Sequence, residues 1–308
     1  MIIESIKEGF ALTNKNLQVT VIRVVAALIS FITLIFSLAI PVIAAIFYLG
    51  LDISSAQDLW PFLQDNPFAF VSRYLGVIMF LGFSLMFYMV FISMLFIYVL
   101  GGSVGVLKNA AVNLSYKFSL SSFLGEAGQN FGRLCRMLSL AGILLIVLLA
   151  AALFISAVVT IIINFISGST TFIGMYFKSF FLVAVIVLGS ITFIAAFVFS
   201  VFAVVICVIE RQGAADALRK TFDFLKDHPM SFVYCLLLFS GAAVLSVLLF
   251  TFKLPFSMVP FLGPPIGIVL SFMSVLIQSY ISVAVWASLV AYYLKISKYP
   301  VYTSEYEI

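Results

Sequence analysis

The sequence predicts an all-α polytopic protein that crosses a membrane six times, and three observations support this. Of the 308 residues, 64% are hydrophobic and 9% are charged, whereas about a quarter of the residues of a soluble domain are charged. Charge-free runs such as 24–51 and 74–107 are longer than the roughly 20 apolar residues that a spanning helix needs. Amphipathic stretches precede alternate runs. A single transmembrane domain over residues 1–308 follows.

One surface helix followed by two spans is predicted, and this pattern occurs three times along the chain. The pairs Glu8-Gly9, Glu126-Ala127 and Asp216-Ala217 occupy similar places in the three surface helices. This similarity indicates a threefold helix-pair repeat. The surface helices are predicted over 3–18, 114–136 and 210–228, and the repeat units over about 1–112, 113–210 and 211–308.

The six spans are separated by breaks that the sequence makes recognisable. Pro41 is expected to kink the first span or loosen its last turns. The loop that contains Trp60 is expected to be an interfacial or re-entrant segment. Four prolines between residues 252 and 265 are expected to end the fifth span. The spans are predicted over 19–49, 74–107, 137–165, 178–209, 229–251 and 266–294.

The third surface helix has the clearest amphipathic pattern. Ala214, Leu218, Phe222 and Leu225 share one face, and charged residues occupy the rest of the helix. A helix of this kind, joined directly to a span, is expected to lie in the plane of the membrane surface. In the first surface helix the apolar side is predicted to hold Ile6, Phe10 and Leu17.

Basic residues predict the orientation of the chain. All sixteen Lys and Arg residues except Arg73, Lys178 and Lys253 fall on one side of the predicted topology, and the positive-inside rule places that side in the cytoplasm with both termini. Basic side chains near anionic headgroups gain about 1 kcal/mol each, so the expected partners are membrane lipids and not nucleic acid. The residues expected at this surface are Lys7, Lys15, Arg133, Arg136, Arg211, Arg219, Lys220 and Lys226.

Polar residues within the spans are few. Gln278 is the strongest candidate, with Ser274, Ser279 and Ser282 in the same helix and Asn164 in the third span. Such residues either form hydrogen bonds between helices or line a path for lipid headgroups. Gly101 and Gly105 have the GxxxG spacing that lets a neighbouring helix approach closely. Arg23 and Lys108 are expected to extend toward the headgroups.

Catalytic chemistry has little support in the sequence. His228 is the only histidine, and no metal, nucleotide or hydrolase motif is present. Cys135, Cys207 and Cys235 are expected to be buried free thiols. No acidic residue falls in the middle of a predicted span, where coupled transporters place such groups. We therefore predict a non-enzymatic protein without cofactor or metal; an intramembrane enzyme would need His228 near Asp227 or Glu210.

A family resemblance rests on VIERQGAADALRKTFDFLKDHPMSFVYCLLL, on the related SIKEGFALTNKNLQVTVIRVV and on the six-span layout. The chain resembles prokaryotic six-helix inner-membrane proteins of the YciC type and the membrane domain fused to some glycerophosphodiester phosphodiesterases. The phosphodiesterase domain itself is absent from this sequence. The resemblance implies an α-helical protein of the prokaryotic inner membrane with an accessory or lipid-related role.

Two functions remain open at this point. The first is an accessory, scaffold or lipid-organising subunit that has a membrane-protein partner or forms a homo-oligomer. The alternative is a transporter or channel for a lipid or other hydrophobic solute, with Gln278 and its neighbouring serines along the path.

Overall fold

The computed structural model describes residues 2–48, 64, 67–113, 115–167, 172–257 and 263–297. This part of the chain is helical and contains no β-strand, as predicted. A π-helical turn spans Ile35–Ala39. The helices are α1 (Ile2–Lys15), α2 (Leu17–Leu34), α3 (Ile40–Tyr48), α4 (Pro67–Val112), α5 (Leu120–Ser167), α6 (Phe172–Glu210), α7 (Ala214–Asp227), α8 (Met230–Ser257) and α9 (Gly263–Ile296).

Six helical segments are long and apolar enough to cross a membrane, and this confirms the predicted number of candidate spans. The chain is a multi-pass membrane protein by this criterion. The first segment combines α2 with most of α3, and the other five belong to α4, α5, α6, α8 and α9. Their bounds are Leu17–Phe47, Tyr74–Val112, Leu120–Ile162, Ser179–Glu210, Met230–Phe256 and Pro265–Ile296.

The boundary of the second amphipathic stretch differs from the prediction. Helix α5 is continuous over 48 residues, so the second amphipathic stretch is its first few turns and not a separate surface helix. Arg133 and Arg136 change the polarity of the surface there, but they leave the backbone hydrogen bonds intact. At 1.5 Å per residue, α5 is about 70 Å long and exceeds the roughly 30 Å hydrocarbon core of a bilayer. Its ends therefore extend beyond the hydrocarbon.

The prolines act in three different ways. Pro41 follows the π-helical turn, in which the N–H of Ile40 donates to the carbonyl of Ile35. The wider turn accommodates the ring, where a kink or loosened last turns were expected. Pro255 lies inside α8, so the prediction that it ends this helix is wrong. Pro264 and Pro265 are in the first turn of α9. Backbone N–H groups of a first turn have no acceptor within the helix, so the missing N–H of proline removes no hydrogen bond there.

The segment around Trp60 lies outside the described residues.

The core lies at one end of the bundle. It is built from three buried runs, 99–107 of α4, 201–209 of α6 and 283–294 of α9, and these three helices contact one another. The preceding halves of the same helices are largely exposed and carry apolar side chains such as Phe83 and Phe193. In a bilayer those surfaces face lipid, and the buried end holds the helices together.

Each buried run is flanked by one amphipathic segment that runs antiparallel to it. Helix α1 lies along α9, where Lys295 contacts Glu4 and Glu8 at 3.3 and 3.1 Å and Phe10 contacts Tyr280 farther along. The start of α5 lies along α4, and α7 lies along α6. These segments pair lengthwise with spanning helices, and the expected position of the amphipathic helices in the plane of the membrane surface stays a prediction.

The predicted apolar faces of α1 and α7 are met in part: Ile6, Ala214, Leu218 and Leu225 pack against the core, but Phe10 and Phe222 do not belong to it. Small and polar residues make the contact face of α1, and in α7 they are joined by Phe224 and Leu225. Phe10 and Phe222 are 42% and 64% exposed. Small residues allow the helix axes to approach closely, whereas a large side chain is accommodated as well by lipid as by protein. The buried positions are Ser5, Gly9 and Thr13 in α1 and Ala217, Thr221, Phe224 and Leu225 in α7.

Candidate functional site

A groove of about 340 Å³ lies between α2, α4 and α9. Helix α2 contributes positions i, i+3, i+4 and i+7 of one face, and α9 contributes a face with the same spacing. Both faces are partly polar, whereas the wall from α4 is apolar throughout. The lining residues are Arg23, Ala26, Ala27 and Ser30 from α2, Val275, Gln278, Ser279 and Ser282 from α9, and Ile92, Leu95, Phe96, Val99 and Leu100 from α4.

Arg23 is the only charged residue among the lining residues of this groove. Its Nε donates to the hydroxyl of Ser103 at 3.5 Å, and a terminal nitrogen donates to the hydroxyl of Ser282. Both bonds are formed inside the bundle, so the expectation that Arg23 extends to the headgroups is wrong. A cation at this position is costly in a membrane protein and is usually functional.

No carboxylate of the described residues forms a salt bridge with Arg23. Glu126 and Glu210 pair with Arg211 and Lys220, and Glu4 and Glu8 pair with Lys295. The two serine hydroxyls are neutral and leave the charge of the guanidinium uncompensated. The groove therefore attracts anions at this end.

The structure brings together three of the four predicted polar residues of α9. Gln278, Ser279 and Ser282 line the groove, and Gln278 is exposed within it. Ser274 is half-buried and does not line it. Asn164 lies in α5, which does not contribute to the groove, and its side chain is outside the described set.

A second group of charged residues lies where the amphipathic segments meet the core. Glu126 accepts hydrogen bonds from Asn109 at 3.1 Å, Asn130 at 3.3 Å and Arg211 at 2.9 Å. These donors come from α4, from α5 itself and from the link between α6 and α7. Because Glu126 connects three elements and its side chain is 11% exposed, it holds this end of the bundle together.

Glu210 and Lys108 complete this ion-pair cluster. Glu210 pairs with Lys220 of α7 and accepts a hydrogen bond from Tyr293 of α9. Lys108 donates to the carbonyl of Ile209 at 2.6 Å, in the last turn of α6, where a cation complements the helix dipole. Lys108 thus binds protein, contrary to the expectation that it extends to the headgroups.

The predicted membrane-surface residues divide into two groups. Lys7, Lys15, Arg136, Arg219 and Lys226 are exposed, and Arg133 is half-buried. Arg211 and Lys220 are also exposed but belong to the ion pairs just described. The side chains of the first group form no salt bridge within the described part of the chain.

Gly101 and Gly105 face the start of α5. A Cβ atom added at Gly105 would lie 2.8 Å from the Cβ of Glu126, and one at Gly101 would lie 3.1 Å from Leu134 Cδ1. Gly102, which was not singled out from the sequence, is equally close to Phe123. The glycines therefore allow α4 and α5 to approach closely.

The residues considered for catalysis, His228 and Glu210, lie in ring-packing and ion-pair contacts. The His228 ring lies 5.3 Å from that of Phe224, and both carboxylate oxygens of Glu210 are engaged. Cys135, Cys207 and Cys235 are free thiols; Cys207 and Cys235 are buried as predicted, whereas Cys135 is half-buried. Within the described ranges, no group of three His, Cys, Asp or Glu residues could hold a metal ion.

A second groove, of about 580 Å³, lies between α5, α6, α7 and α8. Its lining is mainly apolar, with Ala195 on one wall and Phe222 and Lys226 at the α7 side. It contains no arginine and no cluster of side-chain hydroxyl and amide groups like that around Arg23. The chemistry of this second groove therefore differs from that of the groove around Arg23.

Sequence reasoning missed Arg23, Ser30 and Ser103 as parts of one site. The available signal was an arginine inside a long apolar segment, followed on the same helix face by Ala26, Ala27 and Ser30. A face of small residues next to an arginine leaves space for a ligand, but only the packing of α2 against α9 shows where that space lies.

Comparison with protein-family models, with curated proteins and with solved structures gives no match for this chain. The site itself is therefore the basis for the function proposed below.

Proposed function

We propose that this protein is a non-enzymatic integral membrane protein that holds a membrane lipid in the groove between α2, α4 and α9. It would act as a lipid-organising or accessory subunit of a membrane assembly. The observation that carries the proposal is the composition of the groove, which combines an uncompensated arginine and a polar side with a continuous apolar wall. That combination suits an amphiphile.

The groove runs from the buried end of the bundle along the spanning helices, and this course supports a lipid over a small polar solute. Arg23 and Ser282 lie next to the buried end of the bundle, and Val275 lies two turns of α9 away from Ser282, a distance of about 10 Å along the helix. A lipid headgroup beside Arg23 would leave its acyl chains along Ile92 and Phe96. Phe96 is 58% exposed, so the chains would continue directly into the bilayer.

The orientation and the repeat belong to the same proposal. Three amphipathic segments flank three buried runs, and this supports a threefold helix-pair arrangement with the buried end toward the cytoplasm of a prokaryotic inner membrane. Anionic headgroups would then meet the exposed basic residues of that end. With the native cysteines replaced by alanine, a cysteine introduced at Lys117 should react only from the cytoplasmic side. Reaction from the other side would overturn the orientation and leave the groove untouched.

The family resemblance supports the lipid-related role without specifying it. The YciC-type layout implies an accessory membrane protein, and the exposed apolar surfaces of α4, α5 and α6 are compatible with a partner subunit or a second copy. Both remain proposals that follow from the resemblance and the apolar surface.

Blocking the groove tests the proposal. Ala27 lines it and is exposed, so Ala27→Phe would fill space between α2 and α4. We expect native mass spectrometry of the protein in mild detergent to show a tightly held lipid in the wild type. The variant should retain about tenfold less, which corresponds to about 1.4 kcal/mol.

Ala195→Phe is the matched control, because it fills the second groove by the same change. This variant should retain the lipid of the wild type. Equal retention by all three proteins, or no retained lipid in the wild type, would contradict the proposal. The same spectra give the particle mass and so report any stoichiometric partner or second copy.

Lipid transport is the second candidate, and the position of Gln278 favours it. Gln278 is a polar residue exposed within the groove at mid-helix, where a moving headgroup would need a polar contact. A transporter should move a fluorescent phospholipid between the leaflets of proteoliposomes, and Gln278→Leu should slow this movement. A lipid-holding subunit should show no movement with either protein.

A further inference from the structure

The chemistry of the groove specifies the charge of the lipid that it holds. A guanidinium has five N–H donors and binds phosphate through a planar fork. Arg23 uses one donor for Ser103 and another for Ser282, and it lines the groove. Three donors therefore remain for an occupant.

The cationic part of a zwitterionic headgroup would have no anionic side chain to pair with in the groove. An ammonium group beside Arg23 would experience a like charge, and no carboxylate is among the residues that line the groove. The neutral polar groups that line the groove with Arg23 are the hydroxyls of Ser279, Ser282 and Ser30 and the amide of Gln278. Hydroxyl and amide groups match neutral polar substituents such as a glycerol or an inositol.

We propose that the groove selects a phospholipid whose headgroup has a net negative charge and carries hydroxyl groups instead of an amine. This inference deepens the proposed function and rests on it. The Arg23 guanidinium binds the phosphate. Gln278 and Ser279 contact the rest of the headgroup, and the acyl chains lie along the apolar wall of α4.

The two serines that bind Arg23 have a positioning role. Ser103 belongs to the buried run of α4 and Ser282 to α9, so the guanidinium is held by both walls before a lipid arrives. A pre-positioned cation loses little side-chain entropy on binding, and this favours selectivity.

The test compares defined lipids on the whole protein after delipidation. Phosphatidylglycerol and phosphatidylcholine with identical acyl chains are added to the protein in detergent, and bound lipid is counted by native mass spectrometry. Wild type should prefer phosphatidylglycerol by about tenfold or more. Arg23→Gln should abolish the preference, and Arg23→Lys should keep part of it, because a lysine retains the charge and loses the fork.

Lys117→Gln is the control for loss of one positive charge. Lys117 is exposed between α4 and α5 and lies outside both grooves, so this variant should bind like wild type. If Arg23→Gln does not fold, the wild-type preference and the Arg23→Lys variant still decide the question.

Three outcomes would overturn the inference. Equal binding of the two lipids by wild type would show a lipid site without charge selection, and the proposed function would survive. Unchanged selectivity in Arg23→Gln would place the selecting charge elsewhere. If inorganic phosphate alone raised the thermal stability of the wild-type protein, and Arg23→Gln lost this effect, the groove would be a site for soluble anions. Failure of the proposed function would differ from these outcomes, because neither lipid would bind to the wild type and Ala27→Phe would not change the amount of retained lipid.

Discussion

Gly9→Ala is expected to disrupt the packing of α1 against α9. A Cβ atom at Gly9 would lie 2.1 Å from Ser288 Oγ and 2.6 Å from both Cα and N of Ser288. The hydroxyl of Ser288 could rotate, but the backbone atoms belong to a buried helix and cannot move independently. The helices must separate, at a cost of about 1–3 kcal/mol. A lower midpoint of thermal unfolding, followed by size exclusion in detergent, would report this loss.

Gly128→Ala provides the matched control. Nothing lies within 4 Å of a Cβ atom at Gly128 of α5, so the same substitution meets no neighbour. Alanine is the better helix former by about 1 kcal/mol, and this variant should be as stable as wild type or more stable. Equal midpoints for Gly9→Ala and Gly128→Ala would contradict the close crossing of α1 and α9.

Glu126→Gln is expected to weaken the connection between α4, α5 and the α6–α7 link. The change keeps the size of the side chain but removes the charge that pairs with Arg211. It also replaces one acceptor oxygen by a donor, which then faces Asn109 or Asn130. Hydrogen bonds to a charged group contribute about 1.5–3 kcal/mol each, so a substantial part of the free energy of unfolding should be lost.

The exposure of Arg211 limits the loss of stability expected for Glu126→Gln. Its side chain is 48% exposed, so water can solvate it once the carboxylate is gone, and the loss should stay below the roughly 3–5 kcal/mol of a fully buried broken pair. Asp223→Asn is the control, because Asp223 is exposed on α7 and has no ion-pair partner among the described residues. A double-mutant cycle with Arg211→Gln should show coupling for Glu126 and none for Asp223. Absence of coupling at Glu126 would contradict the ion-pair cluster.

The sequence of this protein does not determine which face of a helix packs against protein and which faces lipid. The pattern of α7 assigned Leu225 and Phe222 to one apolar face, but Leu225 is buried whereas Phe222 is 64% exposed. In a soluble protein, apolar periodicity points to the core because water surrounds the rest. In a membrane, lipid accepts a phenylalanine as readily as protein does, and the interior face is the one with small residues, as in Gly9 and Ala217.

The contacts of charged residues within the bundle were also not predictable from the sequence. Arg23 and Lys108 lie near helix ends in the sequence, and headgroup contact was the natural prediction. Their partners, Ser282 and the carbonyl of Ile209, are 259 and 101 residues away along the chain. No local pattern encodes contacts of that separation, because they depend on how the helices are arranged.

The sequence by itself determined that this chain is helical, that six segments can cross a membrane and roughly where they lie. Only helices satisfy their own backbone hydrogen bonds in lipid, so long apolar runs are sufficient for that conclusion. The tertiary structure alone decided that the core lies at one end of the bundle, that the amphipathic segments pair lengthwise with spans, and that Arg23 lies in a groove. These features depend on which helices approach closely, and close approach is decided by small residues such as Gly9, which meets Ser288 far away in the chain.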